Sequence, residues 1–229
     1  MIILLHGDDR QSSRAALLAL RKKFSHLDLR ILNGKTADEN ILVQAIESQS
    51  VFGGATAIII ENLLTTLGKK PKAMEHVGDI LKRSAESATI ILWEEKEVGP
   101  SIIKYLGSHV EGNLFKIPAI IFSFLDALRP SHTIQLLSLY QKTLEHSAAE
   151  LIFTLLVRRL RILVQLSGGV VPVGIVPWQL ARLTKQARFF TMEQILAMEK
   201  QLLAAELGVK TGSSALTISQ HIERILIDL

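Results

Sequence analysis

Two short runs of consecutive apolar residues restrict the fold of this chain more than any other feature. They are ATAIIIEN at 55–62 and ATIILWEE at 88–95, and neither alternates between apolar and polar positions. Strands that helices cover on both faces have this pattern, as in parallel sheets. Shorter candidate strands lie at 2–6, 28–32 and 113–117, with amphipathic stretches between several of them. This alternation predicts a doubly wound α/β sheet.

The pattern changes after Pro118, where the chain has helical spacing and no convincing strand. The connector SGGVVPVGIVP at 167–177 contains glycines and prolines that exclude a continuous helix there. We therefore predict an α/β domain over residues 1–118 and an all-α helical bundle over residues 119–229.

Three Ser/Thr-x-x-Glu/Gln sequences predict the starts of helices. In such a capping box the hydroxyl binds one free amide, while the side chain three residues later binds another. The three boxes lie at Thr36–Glu39, Ser147–Glu150 and Thr191–Gln194. The first would open an amphipathic helix of the α/β domain, and the other two would open helices of the bundle.

The composition excludes several classes of protein. The 229 residues are 48% apolar and include no cysteine, which permits a full core and excludes disulfides and thiolate sites. The N-terminus lacks the features of a signal peptide, and arginines interrupt the apolar stretches before the roughly 20 residues of a membrane span. We expect a soluble cytoplasmic protein without membrane contact.

The basic excess is small and lies mostly in the second half. Residues 1–118 carry 15 Lys and Arg against 14 Asp and Glu, whereas residues 119–229 carry 11 against 8. The net charge of +4 is too low for a stand-alone DNA-binding protein. It is compatible with DNA contact within a larger assembly, and equally with an ordinary basic surface.

The segment LLHGDDRQSSR has the strand–turn–helix order that surrounds a phosphate loop, but not its chemistry. A phosphate loop needs bare amides and a lysine, in the pattern Gly-x4-Gly-Lys-Ser/Thr. Here Gly7 is followed by Asp8 and Asp9, whose charges repel phosphate, and no lysine follows. Ser12 and Ser13 are predicted to help start the helix. The fold class is therefore P-loop-ATPase-like without a phosphate loop, and we expect no ATP hydrolysis by this chain.

Acidic pairs are the remaining candidates for catalysis. Asp8–Asp9 and Glu94–Glu95 would together suit a magnesium-dependent phosphotransfer site, since Mg²⁺ prefers oxygen ligands. The alternative is that both pairs are solvated turn residues, which we favour because no further ligand can be named. None of the seven histidines has metal-ligand or triad spacing. We predict no catalytic residue, no metal and no cofactor.

Two groups of basic residues occupy helices of the second half, and they are candidates for contact with another subunit or with DNA phosphates. The alternative is a surface face with salt bridges. The groups are Arg158, Arg159 and Arg161, and Arg182, Lys185 and Arg188.

The order of the motifs resembles the delta subunit of bacterial DNA polymerase III, the clamp-loader subunit that opens the sliding clamp. The segments that carry the resemblance are LLHGDD, QSVFGGATAIIIEN, TIILWEE, FSFLDAL with LLSLYQKTLE, LIFTLLVRRLRILVQL, and WQLARLTKQARFFTMEQILAMEKQLLAAELGVKTG. Each is weak alone, but together they extend over nearly the whole chain in the family's order.

The resemblance implies a role for the apolar pair Val51 and Phe52, which would insert into a hydrophobic pocket on the clamp. Valine replaces the family's usual leucine there, and burying the phenylalanine contributes about 2–3 kcal/mol. Without the resemblance, Phe52 would be expected to fold back over the sheet edge. The helical domain would join a collar with the ATPase and delta-prime-like subunits, and DNA would be met through that complex. Lys210, in the family's Lys-Thr-Gly ending, joins the candidate contacts.

One departure from the family concerns length. Delta subunits usually carry a small helical lid domain between the α/β domain and the bundle, whereas here Ile117 leads through Pro118 directly into FSFLDAL. A shortened subunit without a lid is therefore expected. Two functions stay open: a subunit that favours clamp opening without ATP hydrolysis of its own, and a delta-related scaffold of a replication or repair assembly that no longer opens the clamp.

Overall fold

A five-stranded parallel sheet organises the first half of the chain. The computed structural model describes residues 1–36, 41, 43–45, 55–68, 70–108 and 110–229. The strands are β1 (Ile2–His6), β2 (Asp28–Asn33), β3 (Thr56–Glu61), β4 (Ala88–Glu94) and β5 (Val110–Leu114). Their order across the sheet is β2-β3-β4-β1-β5, so that β1 lies between β4 and β5. The predicted α/β fold class is confirmed.

Helices cover both faces of this sheet. The helices of this half whose full length is described are α1 (Arg10–Lys23), α2 (Leu63–Leu67), α3 (Pro71–Ser84) and the short α4 (Pro100–Ile103), followed by a 3-10 turn (Lys104–Leu106). Ile58 and Ile60 of β3 pack in one apolar cluster with residues of α2 and α3. Ile59, between them, packs on the opposite face in a cluster with Leu17 of α1. Successive strand residues point to opposite faces, and both faces are covered, so the run is apolar throughout.

The last strand was predicted three residues too late. The apolar run at 113–117 suggested a strand there, but β5 comprises Val110–Leu114, and none of its residues is fully buried. As an edge strand it pairs only with β1 among the described strands. An edge strand need not be continuously apolar, and the pattern therefore hid its start.

The second half of the chain contains only helices among its secondary-structure elements. They are α5 (Ala119–Ala127), α6 (Thr133–Leu144), α7 (Ala149–Ser167), α8 (Pro177–Ala187), α9 (Met192–Lys210) and α10 (Ile218–Ile227). The chain divides into two units, Met1–Ile117 and Pro118–Leu229. Only residues 115–118 separate β5 from α5, so the chain holds no further domain at that point.

The structure confirms one of the predicted capping boxes and contradicts another. Thr191 and Gln194 form both reciprocal bonds at the start of α9, as predicted. The box at Ser147 was wrong: Ala148 is the N-cap of α7, and the Ser147 hydroxyl is buried without a hydrogen-bond partner. An unpredicted box, Thr217 with Gln220, opens α10. Of the box at Thr36–Glu39, residues 37–40 lie outside the described part of the chain.

A buried tyrosine links helices that are distant in sequence. The rings of Phe124 in α5 and Tyr140 in α6 have centroids 5.6 Å apart. The Tyr140 hydroxyl donates to the Ser219 backbone oxygen at 3.3 Å, or to the Ser219 hydroxyl at 3.1 Å. Burial raises the pKa of Tyr140 to about 12. Within the described ranges, no helix is both long enough and apolar enough to cross a membrane.

We expect Gly7→Ala to destabilise the first unit. Gly7 has a φ of +139°, and a Cβ there would lie 1.9 Å from the Phe115 carbonyl oxygen. The backbone strain of an alanine at positive φ and its clash with Phe115 should together lower the free energy of unfolding by more than about 2 kcal/mol, measured by urea denaturation. Gly112→Ala is the matched control, because a Cβ at Gly112 meets nothing within 4 Å. Equal stability of the two variants would contradict the close approach at Gly7.

Candidate functional site

The carboxyl ends of β1 and β4 form the edge of the sheet where ligands commonly bind. β1 and β4 are neighbours in the sheet. The helix that follows β1 packs on one face, whereas residues Ile102 and Ile103 of α4, which follows β4, pack on the other. Open α/β sheets bind ligands in the crevice that such a change of side creates. The residues His6, Gly7–Asp9 and Glu94 therefore lie where a ligand would be expected.

A carboxylate of the chain itself caps α1 at the position of a phosphate loop. Asp9 is buried, and its Oδ1 accepts a hydrogen bond from the Ser12 backbone N–H at 3.0 Å. Its Oδ2 accepts one from the Ser12 hydroxyl at 2.7 Å. The N–H groups and dipole at a helix start attract anions, and here an internal anion already occupies that place. The start of α1 thus depends on Asp9, with Ser12 as a donor, rather than on Ser12 and Ser13 as caps.

The turn before α1 is also tightly closed. The Asp9 backbone N–H donates to the Phe115 carbonyl oxygen at 3.1 Å, and the Phe115 N–H donates to the His6 carbonyl oxygen at 2.8 Å. The absence of a side chain at Gly7 allows this approach, as its contact with Phe115 shows. The backbone amide of Asp9, which a phosphate loop would turn toward its ligand, is therefore already bonded.

A second internal carboxylate, Glu94, caps α2. It is fully buried, and it accepts hydrogen bonds from the Leu64 N–H at 2.6 Å, the Thr65 N–H at 3.1 Å and the Thr65 hydroxyl at 2.7 Å. Burial raises the pKa of Glu94, and these hydrogen bonds oppose that rise. The prediction that Glu94 belongs to a solvated loop is wrong. Its partners lie about thirty residues away in the sequence, so no local pattern could have identified them.

The adjacent Glu95 behaves as predicted for a residue near solvent. Its carboxylate lies 3.1 Å from the Lys35 ammonium and 3.5 Å from the Arg10 guanidinium. The hydrogen bond from Lys35 lowers the pKa of Glu95. Its backbone N–H donates to the Asn62 side chain at 3.3 Å, and Asn62 adopts a left-handed conformation with a φ of 59° just before α2.

The four acids considered for a metal site thus have separate partners. Asp8 is exposed, Asp9 caps α1, Glu94 caps α2 and Glu95 meets two cations. Across the described ranges, no group of three or more His, Cys, Asp or Glu residues could hold a metal ion. The arrangement does not provide the converging oxygen ligands that Mg²⁺ requires.

A buried histidine was not identified from the sequence. The His6 Nδ1 accepts a hydrogen bond from the Val98 backbone N–H at 3.0 Å, which requires that nitrogen to be unprotonated. Burial lowers the pKa of His6. The side chain therefore satisfies a loop amide at the end of β1. The sequence contains no signal for this role, because Val98 is distant along the chain.

The predicted clamp contact, Val51 and Phe52, lies outside the described residues, which omit 46–54. The assignment therefore stays a prediction. The described chain resumes at Ala55, directly before β3.

Two of the predicted basic residues are joined through one carboxylate. The Arg159 guanidinium lies 2.8 Å from Asp126 Oδ1 and donates to the Gln186 side-chain oxygen at 2.7 Å. Arg182 pairs with the other oxygen of Asp126. Burial lowers the pKa of Arg159 to about 10. Gln186 also donates to the carbonyl oxygen of Leu125 at 2.7 Å, so the network ties α5, α7 and α8 together.

The other predicted basic residues lie at several different places. Arg158 lines the same cleft as Arg159 and Arg182, whereas Arg161 borders a separate depression between α7 and α9. Lys210 pairs with Glu206 at 2.6 Å on α9. Lys185 and Arg188 are exposed, without an ion pair to any described residue. The seven cations therefore do not form a single face.

An exposed apolar stripe on α9 was missed at the sequence level. Leu196, Leu203 and Leu207 are exposed and lie seven and then four positions apart, which places them on one side of the helix. Their spacing was visible in the sequence. Their exposure was not, because it depends on which face of α9 packs against α7.

No model of a known protein family matches the sequence, and no curated protein does either. Among solved structures, the chain is similar to the DNA clamp loader delta protein YqeN of Bacillus subtilis, at 12% identity and a TM-score of 0.49, over 99% of this chain and 94% of that one. It is also similar to domain III of the replication initiation protein DnaA of Thermotoga maritima, at 8% identity and a TM-score of 0.35, over 100% and 82% of the two chains.

A third similarity is to a chain in the structure of Drosophila ORC bound to AT-rich DNA and Cdc6. It has 12% identity and a TM-score of 0.32, over 86% of this chain and 72% of that one. All three TM-scores are below 0.5, and all three identities are at or below 12%.

We expect Glu94→Ala to be far more destabilising than Glu95→Ala. Loss of the Glu94 carboxylate leaves the amides of Leu64 and Thr65 without their partner, at a cost of about 2–4 kcal/mol. Glu95 makes ion pairs near solvent, whose loss should cost less than about 1 kcal/mol. Urea denaturation of both variants measures the difference. Similar losses would show that Glu94 does not hold α2.

Proposed function

We propose that this chain is a delta-like subunit of a DNA polymerase III clamp loader, which binds the sliding clamp and favours its open form without hydrolysing ATP itself. The observation that carries the proposal is the closed ligand edge of the sheet. The strand–turn–helix unit of a nucleotide-binding domain is present, but Asp9 and Glu94 cap the two helix starts there. This arrangement supports a domain that retains the scaffold for contacts with other proteins.

The motif order along the chain supports the choice of partner. The segment QSVFGGATAIIIEN, which resembles the clamp-contacting element of delta subunits, leads directly into the buried strand β3. β3 is an inner strand of the sheet, between β2 and β4. Val51 and Phe52 would insert into an apolar pocket of the clamp, where aromatic anchors usually contribute most of the binding energy.

The mechanism requires no chemistry at this chain. A protein that binds the open clamp more tightly than the closed one shifts the clamp toward the open form by that difference in affinity. ATP would act through partner subunits, by controlling when this chain reaches the clamp. Contact with DNA would be made through the assembled complex.

The exposed stripe on α9 supports a role for the helical unit in assembly. Three leucines on one side of a helix would be covered if another subunit packed there, and contiguous exposed apolar surface is typical of such interfaces. A collar formed with other loader subunits would bury Leu196, Leu203 and Leu207.

A second candidate function is a delta-related scaffold that binds its partners but does not open the clamp. The short connection of residues 115–118 favours it, because a lid between the two units would help to set their spacing in a loader. Opening can be measured directly with a clamp that carries a dye pair across its subunit interface. Binding of this chain without a change in dye separation would favour the scaffold.

We expect Phe52→Ala to weaken binding to the cognate sliding clamp, measured by surface plasmon resonance. Loss of about 2–3 kcal/mol of apolar burial corresponds to a weakening of roughly 30- to 150-fold. Leu18→Ala, at an exposed apolar position on α1 of the same unit, should leave the affinity unchanged. Unchanged affinity of the Phe52 variant would reject that contact. No binding by the folded wild-type protein would reject clamp binding altogether.

We expect Leu203→Glu to prevent assembly with the other loader subunits while clamp binding is retained. A charge in the middle of the stripe would have to be desolvated in the interface. Ala197→Glu, at an exposed position on another side of α9, is the control. Size-exclusion chromatography of the mixed subunits measures assembly. An intact complex with Leu203→Glu would exclude the stripe from the interface.

A further inference from the structure

A cleft in the helical unit combines an apolar lining with cationic side chains. It has a volume of about 540 Å³ and lies between α5, α7, α8 and the connector before α8. This volume is within the range of small-ligand and peptide pockets. The apolar residues that line it include Leu125, Leu155, Ile162, Ile175 and Leu183.

Two aromatic side chains in the cleft are open to solvent. Trp178 at the start of α8 is 65% exposed, and Phe122 of α5 is 44% exposed. Both line the cleft. Large aromatic side chains with this exposure, beside a concave apolar surface, are typical of binding sites for apolar side chains of a partner.

The charges of the cleft favour an anionic partner. Arg158, Arg159 and Arg182 line it together with a single acid, Asp126. Both oxygens of Asp126 are already bound by Arg159 and Arg182. Arg158 is exposed and makes no ion pair with any described residue, so the lining retains an excess of two positive charges.

Two of these cations, Arg159 and Arg182, are held in place by the carboxylate of Asp126. Arg159 is held by Asp126 and by Gln186, which itself bonds backbone carbonyls of α5. A guanidinium held in this way loses little conformational entropy on binding, and its planar group suits a carboxylate. The cleft therefore presents two ordered arginines, Arg159 and Arg182, beside an apolar surface, and Arg158 adds an exposed charge.

We propose that this cleft binds an acidic peptide segment of a partner protein, which inserts one large apolar side chain beside Trp178 and places carboxylates near Arg158 and Arg182. Single-stranded nucleic acid fits the observations less well. A nucleic-acid strand is bound along a cationic groove with successive stacking aromatics, whereas these cations surround one apolar cavity. The lining of the cleft includes none of the three leucines of the α9 stripe, and the proposal does not depend on the proposed clamp-loader role.

The test measures binding of the full chain to dye-labelled octapeptides by fluorescence polarisation. The peptides have the form EDEXEDED, where X is Leu, Phe, Trp or Met. At least one peptide should bind saturably with a dissociation constant below 1 mM, and the affinity should fall as NaCl rises from about 50 to 200 mM, because salt screens the exposed arginine. A peptide with Gly at X should bind at least tenfold more weakly.

Matched variants locate the site. Arg158→Glu and Trp178→Ala should each weaken binding at least tenfold, and both side chains are exposed, so the fold should be retained, as circular dichroism can verify. Lys185 is an exposed cation on α8, the helix that carries Trp178, but it does not line the cleft. Lys185→Glu should therefore have little effect on peptide binding.

Several outcomes would overturn the proposal. One is the absence of binding by the folded wild-type protein to all four peptides. Another is an equal loss in the Lys185 and Arg158 variants, which would indicate attraction by overall charge alone. Equal binding of the Gly peptide would exclude the apolar anchor. Binding of a 15-nucleotide oligo-dT that depends on Arg158, without peptide binding, would assign the cleft to nucleic acid.

Discussion

The buried carboxylate of Glu94 connects the central sheet to the helix that packs beside it, and the arrangement of the first unit depends on this connection. It supplies the acceptors for the amides at the start of α2, whose own N-cap, Asn62, makes no side-chain capping bond. Because the carboxylate comes from the carboxyl end of β4, it also fills the edge where a ligand of an open α/β sheet would lie. One interaction thus orders α2 and occupies part of the ligand edge.

Asp9 has the same effect at the neighbouring strand. It caps α1 with an internal negative charge, and the approach of Phe115 to Gly7 closes the turn above it. Anion binding at helix starts requires free amides, and here the chain's own carboxylates have taken them. A parallel sheet with this edge closed retains its helices and surface loops. This is the physical reason for proposing contacts with other proteins.

The helical unit uses its charged residues differently. Asp126 joins Arg159 and Arg182, and Gln186 extends the network to the backbone of α5. These residues stabilise the packing of three helices, so the salt-bridge interpretation applies to Arg159 and Arg182, and Lys210 also has an ion pair, with Glu206. Asp126, Arg159 and Arg182 of this network also line the apolar cleft that Arg158 and Trp178 border. The residues that hold the three helices together thus also form part of the candidate binding surface.

The sequence alone determined the fold class, because hydrophobic periodicity reports which faces of an element are buried: continuous apolar runs became β3 and β4, and helical spacing filled the chain after Pro118. Local hydrogen bonding was predictable only where the tertiary packing agreed with it, as at Thr191 but not at Ser147. The burial of Glu94, the bond between His6 and Val98, and the pairing of Arg159 with Asp126 were decided by the tertiary structure. Each joins residues about thirty or more positions apart, and burying a polar side chain is costly unless folding brings it a hydrogen-bond partner.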